Sequence, residues 1–310
     1  MGTPQFAVPS LEILLSAGYP VKAVVTAPDK PSGRGLKISE PAVKKSAVAA
    51  KIPVLQPVNL KDDAFVQKLR QLDADLFVVV AFRMLPEIVW SMPPLGTVNL
   101  HASLLPLYRG AAPINHAIIN GENVTGVTTF LIEKEIDTGK ILLQEEIMIS
   151  GEDTAGSLHD RLMEAGAGLL LKTVRGIAGG TIEPVSQDVV ALPGDLPRAP
   201  KISKNDCRID WNEPVERIFN FVRGLSPYPA AWTSLHFGDR TIKLKILEVE
   251  KSAKYSDIPP GRVEILKDQF IIGAADGSVI LNRIQAEGRK AMAGSEFIKG
   301  FRPESGAYCS

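Results

Sequence analysis

The stretch VNLHASLLPLYRGAAP, residues 98–113, ends an apolar run with two polar side chains, Asn99 and His101, and then enters a loop holding two prolines, an arginine and a glycine. A short apolar run rich in β-branched residues reads as a buried strand, and residues two apart in a strand point to one face. Similar runs occur upstream, VKAVVT at 21–26 and DLFVVVAF at 75–82, with GTVNLH at 96–101 as the third. The segments between them are patterned as helices, PAVKKSAVAA at 41–50 and AFVQKLRQL at 64–72. Strands alternating with helices predict an α/β domain, Rossmann-like, whose parallel sheet is covered on both faces. Ligands of such sheets bind beyond the carboxyl ends of the strands, and Asn99 and His101 stand at one of those ends.

Downstream, TGVTTFLIE (125–133) and KILLQEEIMI (140–149) read as two more strands, joined by a turn that contains Asp137 and is expected at the same carboxyl edge. A long helix follows, capped by Asp153 or Thr154, striped by Leu158, Leu162, Ala165 and Leu169, and stopped by Gly179-Gly180. The segment 184–200 holds four prolines and a glycine and reads as a linker. It separates a first domain, 1–183, from a second, 201–310. In the second, PVERIFNFVRGL patterns as a helix, TIKLKI (241–246) alternates, and FIIGAADGSVILNRI (270–284) reads as a hairpin turning at Asp276-Gly277. Short strands at this spacing predict a small β-barrel of the oligonucleotide-binding kind. At the amino end, MGTPQFAVPSLEILLSAG opens on a Gly-Thr-Pro turn that, in a doubly wound sheet, follows the first strand. The expectation is a domain lacking that strand, with the sequence starting at an internal methionine of a longer protein.

Of the 310 residues, 45% are hydrophobic and 23% charged, an ordinary globular composition. No apolar run is long enough for a membrane span, and no signal-peptide pattern opens the sequence. Cys207 and Cys309 lie far apart without metal-ligand spacing, which argues against zinc or a disulfide framework and for a reducing cytoplasm. Net charge is zero, but residues 1–200 carry 18 Lys+Arg against 21 Asp+Glu, and residues 201–310 carry 17 against 14. Residues 28–51 concentrate Lys30, Arg34, Lys37, Lys44, Lys45 and Lys51 against Asp29 and Glu40. Such a loop suits a polyanionic partner or a solvated surface. Lys243 and Lys245, on one face of TIKLKI, fit either an RNA contact or the protection of an exposed edge strand.

Asn99, His101 and Asp137 form a chemically coherent set. An amide and an imidazolium can donate hydrogen bonds to a developing oxyanion, and a carboxylate can orient the histidine or relay a proton. No nucleophilic elbow accompanies them, so covalent acyl-enzyme chemistry is not expected, and no metal is. Taken alone, the strand-end histidine is also explained by structural packing.

The string NLHASLLPLYRGAAP, followed 36 residues after His101 by DTG, resembles the signature of folate-dependent formyltransferases. GTPQFAVPSL, APDKPSGRGLK, VVVAFRMLP, RGAAPINHAIINGE and RIDW occur in the order seen in the methionyl-tRNA formyltransferase family. The resemblance covers nearly the whole chain and implies transfer of a formyl group from 10-formyltetrahydrofolate to methionyl initiator tRNA for translation initiation. It implies that Asn99 and His101 bind the formyl oxygen, and that Asp137 orients His101 and helps take the amine's proton. Ser103, Leu104, Leu105 and Pro106, with Met84 and Leu85, would hold the folate. Lys30, Arg34 and Lys37 would reach the tRNA acceptor end, and domain 201–310 the tRNA body. A cytoplasmic monomer is expected. Arg83 departs from the pattern, since many relatives carry a small residue there. Two alternatives are a formyltransferase for a sugar nucleotide amine or glycinamide ribonucleotide, and a non-catalytic RNA-binding protein. The second lacks any Gly-x-Gly-x-x-Gly or P-loop pattern.

Overall fold

A computed structural model describes residues 1–310 except 33–36, 191–194, 253–254, 256 and 301–305. The described residues form two compact units: 1–110, 124–148 and 159–198 in the first, and 111–123, 149–158 and 199–310 in the second. The division does not simply follow the chain. The short helix Pro113–Ile119 belongs to the second unit, where Asn115 Nδ2 donates to the Gly224 carbonyl at 2.7 Å.

The first unit carries a short parallel ladder, a hairpin pairing Lys30–Ser32 with Lys37–Ser39, and a larger sheet. Strands β1 (Val24–Val25) and β2 (Val54–Leu55) pair in parallel. The larger sheet has the order β3 (Phe77–Val80), β4 (Thr97–His101), β5 (Val124–Leu131) and β6 (Ile141–Met148). β3 and β4 run parallel, and β5 and β6 complete the sheet as an antiparallel hairpin. Helices α1 (Val8–Ser16), α2 (Ala42–Ala49) and α3 (Asp63–Gln71) bury one side each. Asp62 caps α3 by accepting from Phe65 N at 3.0 Å, and Phe65, Val66 and Leu69 turn inward at helical spacing. Helix α4 (Ala155–Ala178), whose residues up to Leu158 belong to the second unit, starts after Thr154, whose Oγ1 accepts from Ser157 N at 3.2 Å. Its expected stripe is buried at Leu158, Leu162 and Leu169.

Among the described residues, the backbone bonds between β1 and β3 are those of the first two residues. The Met1 amino group donates to Val78 O at 2.6 Å, Val80 N donates to Met1 O at 2.9 Å, and Gly2 N donates to Val25 O at 3.0 Å. A side chain at position 2 would meet Ala7 Cβ at 2.5 Å and Val80 O at 2.9 Å, so only glycine fits this approach. Beside it lies a cavity of about 430 Å³ lined by Leu11, Leu14, Val25, Leu69, Phe77 and Val174, among others. The β1–β2 ladder and the larger sheet are thus held as neighbours, with no full strand between them among the described residues.

The second unit is a barrel. Strand order is β9 (Val263–Leu266), β10 (Gln269–Ala274), β11 (Gly277–Ala286), β8 (Arg240–Ser252), β7 (Ala231–Phe237) and β12 (Tyr308–Cys309). A bridge between Arg262 and Tyr308 brings the two ends together. Leu235, Leu244, Ile246, Phe270 and Ile284 fill the interior beneath helix α5 (Val215–Leu225), which contributes Ile218, Val222 and Leu225. The β10–β11 turn is Ala275–Asp276, since Ala274 pairs Gly277, and Asp276 Oδ1 accepts from Val215 N at 2.7 Å at the start of α5. Within the RIDW string, Ile209 and Trp211 are core residues, and Trp211 Nε1 donates to Thr233 Oγ1 at 3.0 Å. Among the described residues no helix is long and apolar enough to cross a membrane.

In a chain that begins at Met1, burial pushes the α-amino group down to about 5 from 8.0. Between those values the unfolded chain binds a proton that the folded chain releases, so stability rises with pH across this interval and is lost as pH falls through it. The expected gain is at most about 4 kcal/mol. Urea unfolding from about pH 5 to 8, compared with an Nα-acetylated chain, checks this. Acetylation removes the titrating group and should flatten the difference, and identical pH slopes in the two proteins would reject the buried amine.

Candidate active site

β4 is paired on both edges, Val79 opposing Asn99 on one side and Phe130 opposing it on the other. Its burial alternates only at Asn99, which is half-buried while Val98, Leu100 and His101 are buried. Asn99 and His101 therefore project from one face at the carboxyl end of the parallel pair, as the two-residue spacing predicts.

His101 is fixed from one side. Its Nε2 lies 3.0 Å from the Tyr108 carbonyl oxygen. A carbonyl only accepts, so Nε2 carries the hydrogen and Nδ1 is the nitrogen left for other partners. Nδ1 faces Asp137 Oδ2 at 3.9 Å, with both side chains largely buried. The same Oδ2 accepts from Gly110 N at 2.9 Å. Asp137 Oδ1 and the Asn99 carboxamide have no hydrogen-bond partner among the described residues. His101 and Asp137 are thus held by backbone atoms, while the Asn99 carboxamide, His101 Nδ1 and Asp137 Oδ1 make no hydrogen bond among the described residues.

Asp137 does not reach this point from the sheet's carboxyl edge. β5 is antiparallel to β4, and Val98 opposes Leu131, so the 132–140 turn starts beside the amino end of β4. The turn folds back toward His101 instead. Asp137 takes a left-handed φ of 56°, which a short polar residue tolerates. Two residues on, Gly139 lies so close to Leu131 O that a Cβ there would sit 1.7 Å away. The turn is clamped by Gln187, which donates through Nε2 to Asp137 O at 2.9 Å and Gly139 O at 2.8 Å. Gln187 Oε1 in turn accepts from Arg109 Nε at 3.0 Å and Nη2 at 2.6 Å. Gln187 lies inside the segment read as linker, yet it is 2% exposed. Nothing in its neighbourhood of sequence marks it, and Arg109, half-buried, is its partner rather than a free surface charge.

The residues expected around the folate divide in two. Ser103, Leu105 and Pro106 are buried as scaffold: Ser103 Oγ donates to Leu107 O at 2.7 Å, and Leu105 packs with Phe130 and Ile141. Thr128 Oγ1 donates to Ser103 O at 2.6 Å and accepts from Leu105 N at 3.1 Å, and Gln144 Nε2 donates to Leu105 O at 2.8 Å. Leu104 is half-buried. Met84 is 70% exposed and Leu85 buried, both in the segment after β3, whose carboxyl end lies beside that of β4. Arg83 turns away from this chemistry, its guanidinium donating to the carbonyls of Pro57 and Val58. Of the three cations expected to meet tRNA, Lys30 is exposed in a hairpin pairing Lys30–Ser32 with Lys37–Ser39. Arg34 lies outside the described residues, and Lys37 is described through its backbone alone.

Residues 1–174 match the formyl transferase family model, and residues 201–302 match the formyl transferase C-terminal domain. The methionyl-tRNA formyltransferase of Bacteroides thetaiotaomicron is 50% identical over 308 residues, covering 99% of this chain and 96% of that protein. That of Flavobacterium johnsoniae is 46% identical over 310 residues, covering 99% and 98%. Among solved structures, WlaRD, a sugar 3N-formyl transferase crystallised in the presence of dTDP and 5-N-formyl-THF, superposes with a TM-score of 0.65 at 19% identity, over 93% of this chain and 97% of that one. The N-formyltransferase of Helicobacter canadensis, in complex with folinic acid and dTDP-3-aminofucose, gives 0.62 at 21% identity, over 90% and 96%. At such identities these two structures speak to the fold, whereas the near-full-length relatives speak to descent: the chain belongs to the methionyl-tRNA formyltransferase family.

Proposed function

We propose that this chain transfers the formyl group of 10-formyltetrahydrofolate to the α-amino group of methionine esterified to initiator tRNA, working in the cytoplasm as a monomer. The observation that carries this reading is the trio of unengaged groups beyond β4: the Asn99 carboxamide, His101 Nδ1 and Asp137 Oδ1. A formyl oxygen set beside Asn99 and His101 accepts from the carboxamide N–H and from Nδ1–H of the imidazolium. Both bonds strengthen as negative charge develops on that oxygen. The methionyl amine attacks the formyl carbon, forming the new C–N bond and a tetrahedral oxyanion. Asp137 Oδ1 accepts the amine's proton, directly or through a water. Collapse of the oxyanion breaks the bond from the formyl carbon to the carrier nitrogen, which takes up the proton held by Asp137, directly or through a water, and leaves as tetrahydrofolate.

The remaining segments take the following roles in this reading. The pterin would lie along the chain after β3, with Met84 exposed toward it and Leu85 backing it from the core. Ser103, Leu105 and Pro106 would act through their backbone, because their side chains are inside. Lys30, Arg34 and Lys37 would meet the acceptor end of the tRNA, and residues 201–310 its body.

Incubating the purified protein with 10-formyltetrahydrofolate and methionyl initiator tRNA should give formylmethionyl-tRNA. Formylation of a nucleotide-linked amino sugar in place of the tRNA would reject this reading. Replacing Asn99, His101 or Asp137 by Ala should cut turnover by about two orders of magnitude or more, with circular dichroism unchanged. A near-normal rate in any one of them removes that residue from the mechanism. Gln187→Ala strips two bonds from the Asp137 turn and one partner from Arg109. It should lower stability by about 1–3 kcal/mol and kcat more than the KM for tRNA. A lower stability with an unchanged kcat would leave Gln187 no part in positioning Asp137.

A further inference from the structure

The hairpin pairing Lys30–Ser32 with Lys37–Ser39 stands between β1 and α2, and one ammonium joins the residues on either side of it. Lys44 Nζ donates to Asp29 Oδ2 at 2.5 Å, just before the hairpin, and lies 2.7 Å from Glu40 Oε1, just after it. Asp29 is tied through its other oxygen as well. Gln56 Nε2 donates to Asp29 Oδ1 at 2.7 Å and to Ala27 O at 2.9 Å. Gln56 follows β2 directly, and Thr26 N donates to Leu55 O at 3.0 Å, so this anchor continues the parallel β1–β2 ladder. Lys30 opposes Ser39, which puts Asp29 and Glu40 one residue below the first rung of the hairpin.

Helix stability does not account for Lys44. It lies in the first turn of α2, where the helix dipole disfavours a cation, and that turn has no acidic residue. Nor is its charge on offer to a polyanion. Its side chain is 17% exposed, and it binds both carboxylates found between residues 28 and 51. The hydrogen bonds from Lys44 and Gln56 hold the Asp29 carboxyl below its usual range, and those to Asp29 and Glu40 push the Lys44 ammonium up. Lys30, by contrast, is exposed and has no carboxylate within 4.0 Å among the described residues. The basic stretch 28–51 therefore divides: Lys44 is neutralised inside the protein, and Lys30 is not.

We propose that Lys44 is a positioning residue: it latches the base of the hairpin through Asp29 and Glu40 and fixes where the hairpin presents its cations, without touching nucleic acid itself. The proposal rests on the reading that this hairpin meets the acceptor end of a tRNA. An isolated exposed ion pair would hold little. Here one largely buried ammonium serves two carboxylates, so both bonds are made for the ordering of a single lysine side chain. Gln56 then prevents Asp29 from turning away when Lys44 pulls on it.

Lys44→Met combined with Glu40→Gln tests this, because it removes one cation and one anion and so breaks the latch at constant net charge. The first measurement needs no substrate. Hydrogen exchange at the Lys30 and Ser39 amides should speed up about fivefold or more in the folded double variant, and Lys44→Arg should keep it close to wild type. In formylation of methionyl initiator tRNA, the double variant should raise the KM for tRNA about fivefold or more. Its kcat, its KM for 10-formyltetrahydrofolate and the salt dependence of its tRNA KM should stay as they are, and Lys44→Arg should restore the tRNA KM. Lys30→Gln should instead make that salt dependence shallower by about 0.7–0.9 in log–log slope. Unchanged exchange in the double variant overturns the latch. A shallower salt dependence there makes Lys44 a phosphate contact and overturns the proposal too. Faster exchange with an unchanged tRNA KM leaves Lys44 a structural residue and overturns its positioning role. A wild-type chain that formylates no tRNA, with exchange responding as expected, keeps the latch and loses the proposed reaction.

Discussion

The backbone of β4 is hydrogen-bonded on both of its edges, and the position of every candidate catalytic group follows from that. Pairing to β3 on one side and β5 on the other leaves the strand no freedom to slip, because a one-residue shift would turn Val98 and Leu100 out of the core. With register fixed, Asn99 and His101 have to project from the other face. The loop beyond then uses its own backbone to hold the histidine, through the Tyr108 carbonyl, and the aspartate, through Gly110 N–H. Only proline would remove the Gly110 N–H and no substitution removes the Tyr108 carbonyl, so these two anchors depend on chain path, and the Gln187 side chain adds the clamp on the Asp137 turn.

The first unit shows what happens when this kind of support is thin. Between β1 and β3 the cross-strand bonding is carried by Met1 and Gly2, and an apolar cavity lies beside them. In a chain that begins at Met1 the α-amino group there carries an electrostatic cost, since an ammonium out of water is disfavoured unless a carboxylate pairs with it. The barrel is the opposite case. Its sheet returns to itself through the Arg262–Tyr308 bridge, and Phe270, Leu244 and Ile246 inside it are fully buried. Because its interior is self-sufficient, the outward positions of β7 and β8 are free to carry charge and aromatic surface.

Much of this was legible in the order of residues. Alternation at 241–246 and the apolar runs at 75–82 and 96–101 placed strands where they occur, because side-chain period is a local property of extended backbone. The shared face of Asn99 and His101 was legible for the same reason. Asp137 was joined to them by its turn being expected at the carboxyl edge, which the structure corrects, and by the family resemblance, since periodicity does not connect it to a histidine 36 residues away. Illegible were Tyr108 and Gly110, which act through backbone atoms, and Gln187, a buried clamp within a proline-rich segment. Arg83 stood out by type, yet only the structure showed that it binds the carbonyls of residues 57 and 58.

The sequence by itself determined the element types, the pairing of two polar residues on one strand face and the family, because each is written in local pattern or in strings of matched residues. Tertiary structure alone decided three further matters. It showed that Asp137 reaches His101 by a turn that folds back from the far end of β4, and that His101 offers Nδ1 while Nε2 is occupied. It also showed that the lysines of β8 lie on an interior strand and not at an edge. All three are set by which strand lies beside which, and hydrogen bonding between residues distant in sequence leaves no mark on local pattern.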